Sequence, residues 1–462
     1  MNKGIVQLIC SNVKKNWSFP FQQGENFMTY GSGFMFSKER KYILTCAHCI
    51  ENVIHIYVQI PKYGKKKFEA KVISFCNLYD IALLEIINFN DNTIPYLEID
   101  LQGLKNTKAG DKVEVLGYPL GQNNLKMTQG IVSGHQMSLY QIDSPINGGN
   151  SGGPLLRNNK VIGIISSGIL FANDIGYAVP IERFLNIDEL MKKQKIIYPP
   201  VSLGFLLQKN PDHGKGDLGY IYNIMPKSLI EFSKPKIKKG DILLKLGNYK
   251  VNYRGTIEKK WMFENESLED FLYEHKMNSN ISFQIQRGKK KITGYIPVKE
   301  IKTNIYEIIH PYEIYEYVLI GGLVIIPLSL QVLQDFIYKI SSKFSICSGI
   351  DNCYQNIFNM IHFFETIKNK KQENMLLISN VLGGSLFDDY AFMKGDFIQK
   401  INGVSVTSIK EIVDIVYKKK HKNLCIETGS GKKCILSKNE IEKDNEIMKE
   451  KYEINENFKY KK

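Results

Sequence analysis

Between residue 4 and about residue 190 the chain never runs far without a turn. Short apolar or alternating runs follow one another there: "GSGFMF", "YILTCAHCI", "HIYVQI", "EAKVISF", "DIALLEI", "KVEVLGYPLG", "QGIVSG", "LYQIDS", "VIGIISSGI" and "IGYAVP". Turn residues separate them and no helical pattern intervenes. Regular strand spacing of this kind limits the segment to an all-β barrel or sandwich. Only "IERFLNIDELMKKQK", at its end, places apolar residues three and four apart as a helix does. The paired prolines of "KIIYPPVS" read as a stiff linker.

Beyond the linker the pattern changes to mixed α+β. Residues 200–300 combine strands ("LGFLLQ", "GYIYNI", "DILLKLG", "SFQIQRG", "TGYIPV") with a helix, "SLEDFLYEHKM". Residues 305–442 form a third unit, with strands and with helices expected near 331–340, 354–368 and 408–419. The two units echo each other: "IKKGDILLKLGNYKV" (237–251) and "FMKGDFIQKINGVSV" (392–406) both read Lys-Gly-Asp, strand, Gly-containing turn. A duplicated module accounts for that. Residues 443–462 are expected to be a charged helix and tail laid along the surface. The most apolar stretch, "YVLIGGLVIIPLSL", has 14 residues, a Gly-Gly and a proline. A membrane-spanning helix needs ~20 apolar residues, so two buried strands meeting at a turn fit better and no membrane span is expected.

Composition narrows the partners. The 462 residues are 43% hydrophobic, which excludes a disordered chain. The net charge of +14 is spread over many short lysine runs, as in solvated turns and edges, and does not mark a nucleic-acid footprint. Eight cysteines show no pairing pattern. Cys46 and Cys49 form an isolated C-x-x-C without the second pair a zinc site would want, so no metal is expected. Reduced thiols and the lack of a secretory signal in "MNKGIVQLICSNVKKNW" suggest a soluble intracellular protein, cytoplasmic unless an organelle transit peptide is missing.

The stretch "INGGNSGGPL", Ile146 to Leu155, carries four glycines around one serine. Each glycine costs about 0.5–1 kcal/mol of folding free energy relative to alanine, so the turn has either a tight geometry or a task. An attacking Ser151 needs a base, an orienter for the base and donors for the oxyanion. "TCAHC" supplies His48 after an apolar strand, and "LYDIALLEI" supplies Asp80 just before one. Singly, each has a bland explanation: a structural histidine, a turn cap, a plain loop. Together they occur in the order His, Asp, Ser, that of chymotrypsin-type proteases. Amides of the Gly149–Asn150–Ser151 turn would then receive the oxyanion. Removing one such donor typically costs ~2.7–4 kcal/mol.

"GSGFMFSKERKYILTCAHCI", "YDIALLEI", "QIDSPINGGNSGGPLL" and "IGYAVPI" resemble the HtrA/Deg serine proteases, with further likeness to the plant-type members. The resemblance implies a double β-barrel chymotrypsin-like protease domain (1–195), a PDZ domain (200–300), a PDZ-like domain (305–442) and a tail (443–462). It also implies His48, Asp80 and Ser151 as the triad, and an oxyanion hole at Gly149, Asn150 and Ser151. A PDZ carboxylate-binding loop is implied at Leu203, Gly204, Phe205 and Leu206, with peptides adding as an extra strand. A specificity pocket is expected from Ile146, Ile165, Ser166 and Ser167, favouring a small or medium apolar side chain. Trp17, Phe19 and Phe21 are candidates for an interface in a homotrimer or larger cage, or for plugging the barrel. "HQMSLY", only six residues, replaces a longer regulatory loop common in the family. The implied activity is ATP-independent cleavage of unfolded proteins, without cofactor. A catalytically silent PDZ scaffold or holdase and a site-specific processing protease are the rival readings.

Overall fold

The computed structural model describes residues 4–14, 16–22, 24–39, 41–136, 138–168, 175–210, 217–225, 228–258, 266–301, 316–329, 332, 375–388, 390 and 392–460. They fall into two compact units, one of residues 1–12 and 27–302 and one of residues 13–26 and 303–462.

The first unit opens with two closed six-stranded barrels. Strands β1 (Ile5–Lys14), β2 (Glu25–Met35), β3 (Tyr42–Thr45), β4 (Val53–Gln59), β5 (Lys67–Cys76) and β6 (Ile81–Ile86) form one, in the order β1-β2-β3-β6-β5-β4. Strands β7 (Lys112–Gly117), β8 (Lys126–Gln136), β9 (Leu139–Ile142), β10 (Pro154–Arg157), β11 (Lys160–Gly168) and β12 (Gly176–Pro180) form the other, in the order β10-β11-β12-β9-β8-β7. Val6, Leu8, Met35 and Ile43 fill the first barrel; Val113, Tyr140, Ile142 and Ile165 fill the second. Helix α1 (Gly103–Asn106) lies between the barrels in sequence and α2 (Ile181–Met191) follows them. The near-continuous apolar run of β6, "IALLEI", is buried on both faces, so it does not alternate. Leu83 on one of those faces belongs to the same cluster as Phe184 and Ile187 of α2.

That cluster continues into the next domain, which is packed on the barrels as part of the same unit. "KIIYPPVS" is therefore no free linker. Ile196 pairs with Phe75 of β5, through Phe75 N–H to Lys195 O (2.9 Å) and Ile197 N–H to Phe75 O (3.0 Å). The domain comprises β13 (Phe205–Lys209), β14 (Gly219–Ile224), β15 (Ile242–Leu246), β16 (Tyr249–Lys250), the small hairpin β17 (Thr256–Ile257) and β18 (Glu266–Ser267), α3 (Leu268–Tyr273), β19 (Asn280–Arg287) and β20 (Lys290–Pro297). Its sheet runs β13-β14-β15-β19-β20, with β13 at the edge. Ser267 caps α3 by accepting from Asp270 N–H (3.0 Å). The Arg183 guanidinium of α2 lies over the rings of Tyr79 and Tyr273, 5.7 and 4.5 Å from their centroids.

The second unit is an eight-stranded sheet. Its strands are β21 (Tyr317–Ile320), β22 (Leu323–Pro327), β23 (Leu376–Val381), β24 (Phe397–Ile401), β25 (Val404–Ser405), β26 (Asn423–Thr428), β27 (Lys433–Ser437) and β28 (Phe458–Lys459). They run β27-β26-β24-β23-β22-β21-β28, with β25 on β24. "YVLIGGLVIIPLSL" is indeed two strands meeting at a Gly321-Gly322 turn. Helix α4 (Ile409–Val413), continued by a π-turn over Asp414–Lys418, matches the helix expected at 408–419. The helices expected at 331–340 and 354–368 lie outside the described residues. The tail differs from expectation. Helix α5 (Lys438–Tyr452) begins within 305–442, buries Ile441, Asp444, Asn445 and Met448, and leads to β28, which pairs with β21. Its charge pattern hid this, because the buried stripe itself includes Asp444 and Asn445. The N-terminal aromatics neither plug the barrel nor stand bare. Trp17 and Phe21 pack with Tyr317, Ile326 and Leu377, and Phe19 lies 6.1 Å from the Tyr452 ring.

The sequence echo becomes a repeated hairpin, β15–β16 and β24–β25. In each copy the Lys-Gly-Asp aspartate is buried and bonded to a cation. Asp241 accepts from Arg287 Nε and Nη2 (2.7 Å each), Asp396 from Lys432 Nζ (2.8 Å). Asp241→Ala is expected to lower stability by about 2 kcal/mol, below the cost of breaking a fully buried pair because Arg287 keeps one side in water. A shift of the urea midpoint measures it, and Asp396→Ala should act on the second unit in the same direction.

Candidate active site

His48 begins a single 3-10 turn, His48–Ile50, at the end of β3. Asp80 sits just before β6 with φ of 55°, a left-handed conformation that aspartate tolerates better than most residues. Its N–H donates to Asn77 O (3.1 Å), closing the tight turn that fixes the carboxylate. His48 Nδ1 lies 2.9 Å from Asp80 Oδ2 and 3.0 Å from Oδ1, and the His48 backbone N–H donates to Oδ1 at 3.0 Å. From the second barrel, Ser166 Oγ donates to Asp80 Oδ2 at 2.7 Å.

Electrostatics follow from these contacts. Burial alone would raise the Asp80 pKa, but the bonds from His48 and Ser166 hold it below its ordinary value. Burial works against a charged His48 ring too. The bonds to Asp80 and Cys49 outweigh it and lift the ring to about 10. The Nδ1 side of the ring is thus fixed on the carboxylate.

Ser151 stands on the glycine-rich turn. Ser32 N–H donates to Ser151 O (2.8 Å), and Gly152 N–H donates to Ile165 O (2.7 Å), anchoring the turn to both barrels. Ser32 Oγ, fully buried, donates to Gly149 O (2.7 Å) and accepts from Tyr118 N–H (2.9 Å). Gly149 has φ of 99°, and a Cβ there would collide with Tyr118 O. Gly152 has φ of 83°, and a Cβ would strike Ser32 O and Thr45 Oγ1. Both glycines are therefore demanded by backbone conformation and by close approach. The amides of Gly149 and Ser151 have no acceptor among the described residues. The Asn150 amide is spent on Asn147 O (3.0 Å), so two of the three expected oxyanion donors remain free. Ser151 Oγ donates to Ser166 O at 2.8 Å, not to His48.

The expected pocket residues part company. Ile146 lies against Gly176, where a Cβ would collide with it. Ile165 is fully buried in the second barrel's core. Ser166 bonds Asp80 through its hydroxyl and Ser151 through its carbonyl. Ser167 pairs with Tyr177 across β11 and β12. A period-two pattern cannot say which face of "IISS" turns inward at a bulge, and the register shifts between Ile165 and Ser167. Sequence reasoning also missed Ser32, whose only signal is its place in "GSG". At the short "HQMSLY" connection β8 and β9 pair directly, His135 with Tyr140 and Gln136 with Leu139.

At the edge of the smaller sheet, Gly204 has φ of 94°, and its N–H donates to Ser202 Oγ at 3.0 Å. Leu203 is buried, and its carbonyl accepts from Ile230 N–H (2.9 Å). Phe205 and Leu206 begin β13 and are half-buried. Among the described residues, only Cys46, His48 and Asp80 bring three potential metal-ligand atoms within 4.8 Å of one another.

Residues 31–164 match the trypsin-like peptidase domain family, and residues 309–458 match a PDZ domain family. Serine protease Do-like HtrA of Bacillus subtilis is 30% identical over 311 residues, covering 59% of this chain and 65% of that one. Protease Do-like 2, chloroplastic, of Arabidopsis thaliana is 26% identical, covering 94% of this chain and 71% of its own. Protease Do-like 4, mitochondrial, of the same plant is 27% identical, over 84% of this chain and 71% of its own. The chain joins a trypsin-like peptidase domain to a PDZ domain, and its relatives are HtrA/Deg serine proteases. It is a serine endopeptidase. No helix among its described residues is long and apolar enough to cross a membrane.

The His48–Asp80 contact is measurable without substrate. A raised folded pKa means that the pair stabilises the fold fully below pH 6.5 and loses that contribution as pH rises through about 10. NMR titration of the His48 ring should give a midpoint well above 6.5. Asp80→Asn should bring it back toward that value.

Proposed function

We propose that the enzyme cleaves unfolded or misfolded polypeptides without ATP, through Ser151, His48 and Asp80. The carrying observation is the carboxylate–imidazole contact at the seam of two barrels, beside a serine turn with two unspent amides. His48 takes the proton of Ser151 as the serine attacks the scissile carbonyl. Asp80 fixes the ring and stabilises the imidazolium. The amides of Gly149 and Ser151 receive the oxyanion. To attack, the serine hydroxyl leaves Ser166 O and turns to His48. The contact of Ser151 with Ser166 O in place of His48 is also what favours the silent-scaffold reading.

The open edge of β13, with Leu203, Gly204, Phe205 and Leu206 at its start, suits capture of a peptide chain end as an added strand. Assembly into a trimer or larger cage, and a role in protein quality control, belong to the same proposal. The six cysteines among the described residues are free, which suits a reducing compartment such as the cytoplasm.

β-Casein cleavage and fluorophosphonate labelling, run on wild type and Ser151→Ala, test the reading. Wild type should do both and the variant neither, since losing a triad serine costs on the order of 10⁶ in turnover. Neither activity in wild type, even with added C-terminal peptides, would favour the scaffold. Cleavage confined to a few sequences of a peptide library would favour a processing enzyme.

A further inference from the structure

The histidine turn carries two thiols that the triad chemistry leaves unused. Cys46 ends the apolar run of β3, and Cys49 follows His48. Cys49 N–H donates to Cys46 O at 3.3 Å, so the cysteines are the first and last residues of one tight turn. The ends of such a turn lie within about 7 Å, Cα to Cα. A disulfide spans about 4.4–6.8 Å. Their surroundings differ. Cys46 is fully buried, and its Sγ donates to Ile165 O at 3.1 Å. Cys49 is partly exposed, with Sγ 3.7 Å from His48 Nε2 and 3.5 Å from Ser151 O. Gly31 stands beside it. A Cβ there would lie 3.2 Å from the Cys49 sulfur, so a side chain at this position would press on it.

Exchange with an external disulfide needs an accessible sulfur of thiolate character and a second sulfur within reach. The geometry points to Cys49 as a site of thiol–disulfide exchange with low-molecular-weight disulfides, resolved by Cys46 into a Cys46–Cys49 disulfide that disables the His48 turn. Contact with Cys46 and then with the His48 ring holds the Cys49 thiol down at about 6, against the effect of burial. Burial pushes Cys46 well up. Cys49 is thus the attacking sulfur and Cys46 the resolving one.

The Cys49 thiolate attacks one sulfur of RSSR. That S–S bond breaks, and RS⁻ leaves and takes up a proton. Cys46 then gives its proton to solvent and attacks the Cys49 sulfur, expelling the second RS⁻. The protein pair loses two electrons and two protons, and RSSR becomes two RSH. The Cys46 S–H donor is gone from the product, so Cys46 can no longer donate to Ile165 O on β11. That contact ties the histidine turn to the second barrel. The exchange itself stands on the thiols alone; its effect on turnover rests on the reading of His48 as the base.

The full chain, fully reduced, is incubated with oxidised glutathione. Peptide mapping by mass spectrometry is run alongside casein turnover. In wild type the peptide containing both cysteines should lose two alkylatable thiols. Turnover should fall about a hundredfold, the lower end of what a positioned general base contributes, and return with dithiothreitol. Cys46→Ala should stop at glutathione attached to Cys49. Cys49→Ala should gain no adduct in this peptide and keep whatever rate it had before treatment. An unmodified Cys49 in wild type, or an equal loss of turnover in Cys49→Ala, overturns the proposal. Modification without any turnover in the reduced protein supports the exchange site and counts against the triad reading alone.

Discussion

Asp80 is a carboxylate held at the seam between two barrels, and much of the site is arranged around satisfying it. Ionised and largely removed from water, it would be costly without partners. The first barrel gives it the His48 backbone N–H and the imidazole, and the second gives it Ser166 Oγ. One negative charge therefore bonds the barrels together. It also aims a histidine at the turn that carries Ser151. Ser32 repeats the logic with a neutral group. Rooted in the first barrel, its hydroxyl bridges Tyr118 N–H and Gly149 O of the second.

Beside Asp80 the chain makes a second connection. Tyr79, the preceding residue, is almost wholly buried and meets Tyr273 of α3 edge-on, with ring centroids 5.5 Å apart. The Arg183 guanidinium covers both rings. Asn186 Nδ2 donates to Tyr273 O (2.9 Å), and Met277 N–H donates to Asn186 O (3.0 Å). The sheet that carries β13 is thus seated on the helix closing the protease barrels, one residue from the aspartate. Rigid packing of this kind transmits displacement, because a close-packed interior has few voids to absorb it.

The sequence makes the fold legible wherever local chemistry decides it. Turn residues at regular intervals announce the barrels, and the Lys-Gly-Asp echo announces two related hairpins. The order His48, Asp80, Ser151 makes the site legible through chemistry that allows few residue types. What stays hidden depends on contacts distant in sequence. "IISS" gives no sign that Ile165 turns into a core while Ser166 reaches across to Asp80, since a bulge sets the face. "KNEIEKDNEIMKEKY" looks like a solvated helix. Asp444 is nevertheless buried, because its Oδ2 accepts from Leu386 N–H (3.0 Å), and Asn445 because its Oδ1 accepts from Gly321 N–H (2.8 Å). Polar residues that satisfy backbone groups inside a fold cannot be told from surface ones by pattern alone.

The duplicated modules then diverge by one structural fact. If β15–β16 and β24–β25 are equivalent hairpins, β13 and β22 hold equivalent places in their sheets. β13 is the last strand of its sheet, with one row of backbone groups unpaired among the described residues. β22 is covered by β21, and β21 in turn by β28 near the chain's end. An unpaired edge invites a further strand, and an edge already paired cannot accept one without displacing its own chain. The first module leaves its edge strand open among the described residues. The second covers its edge with its own strands, and α5, which carries the chain from β27 to β28, is held by Asp444 and Asn445 inside the same unit.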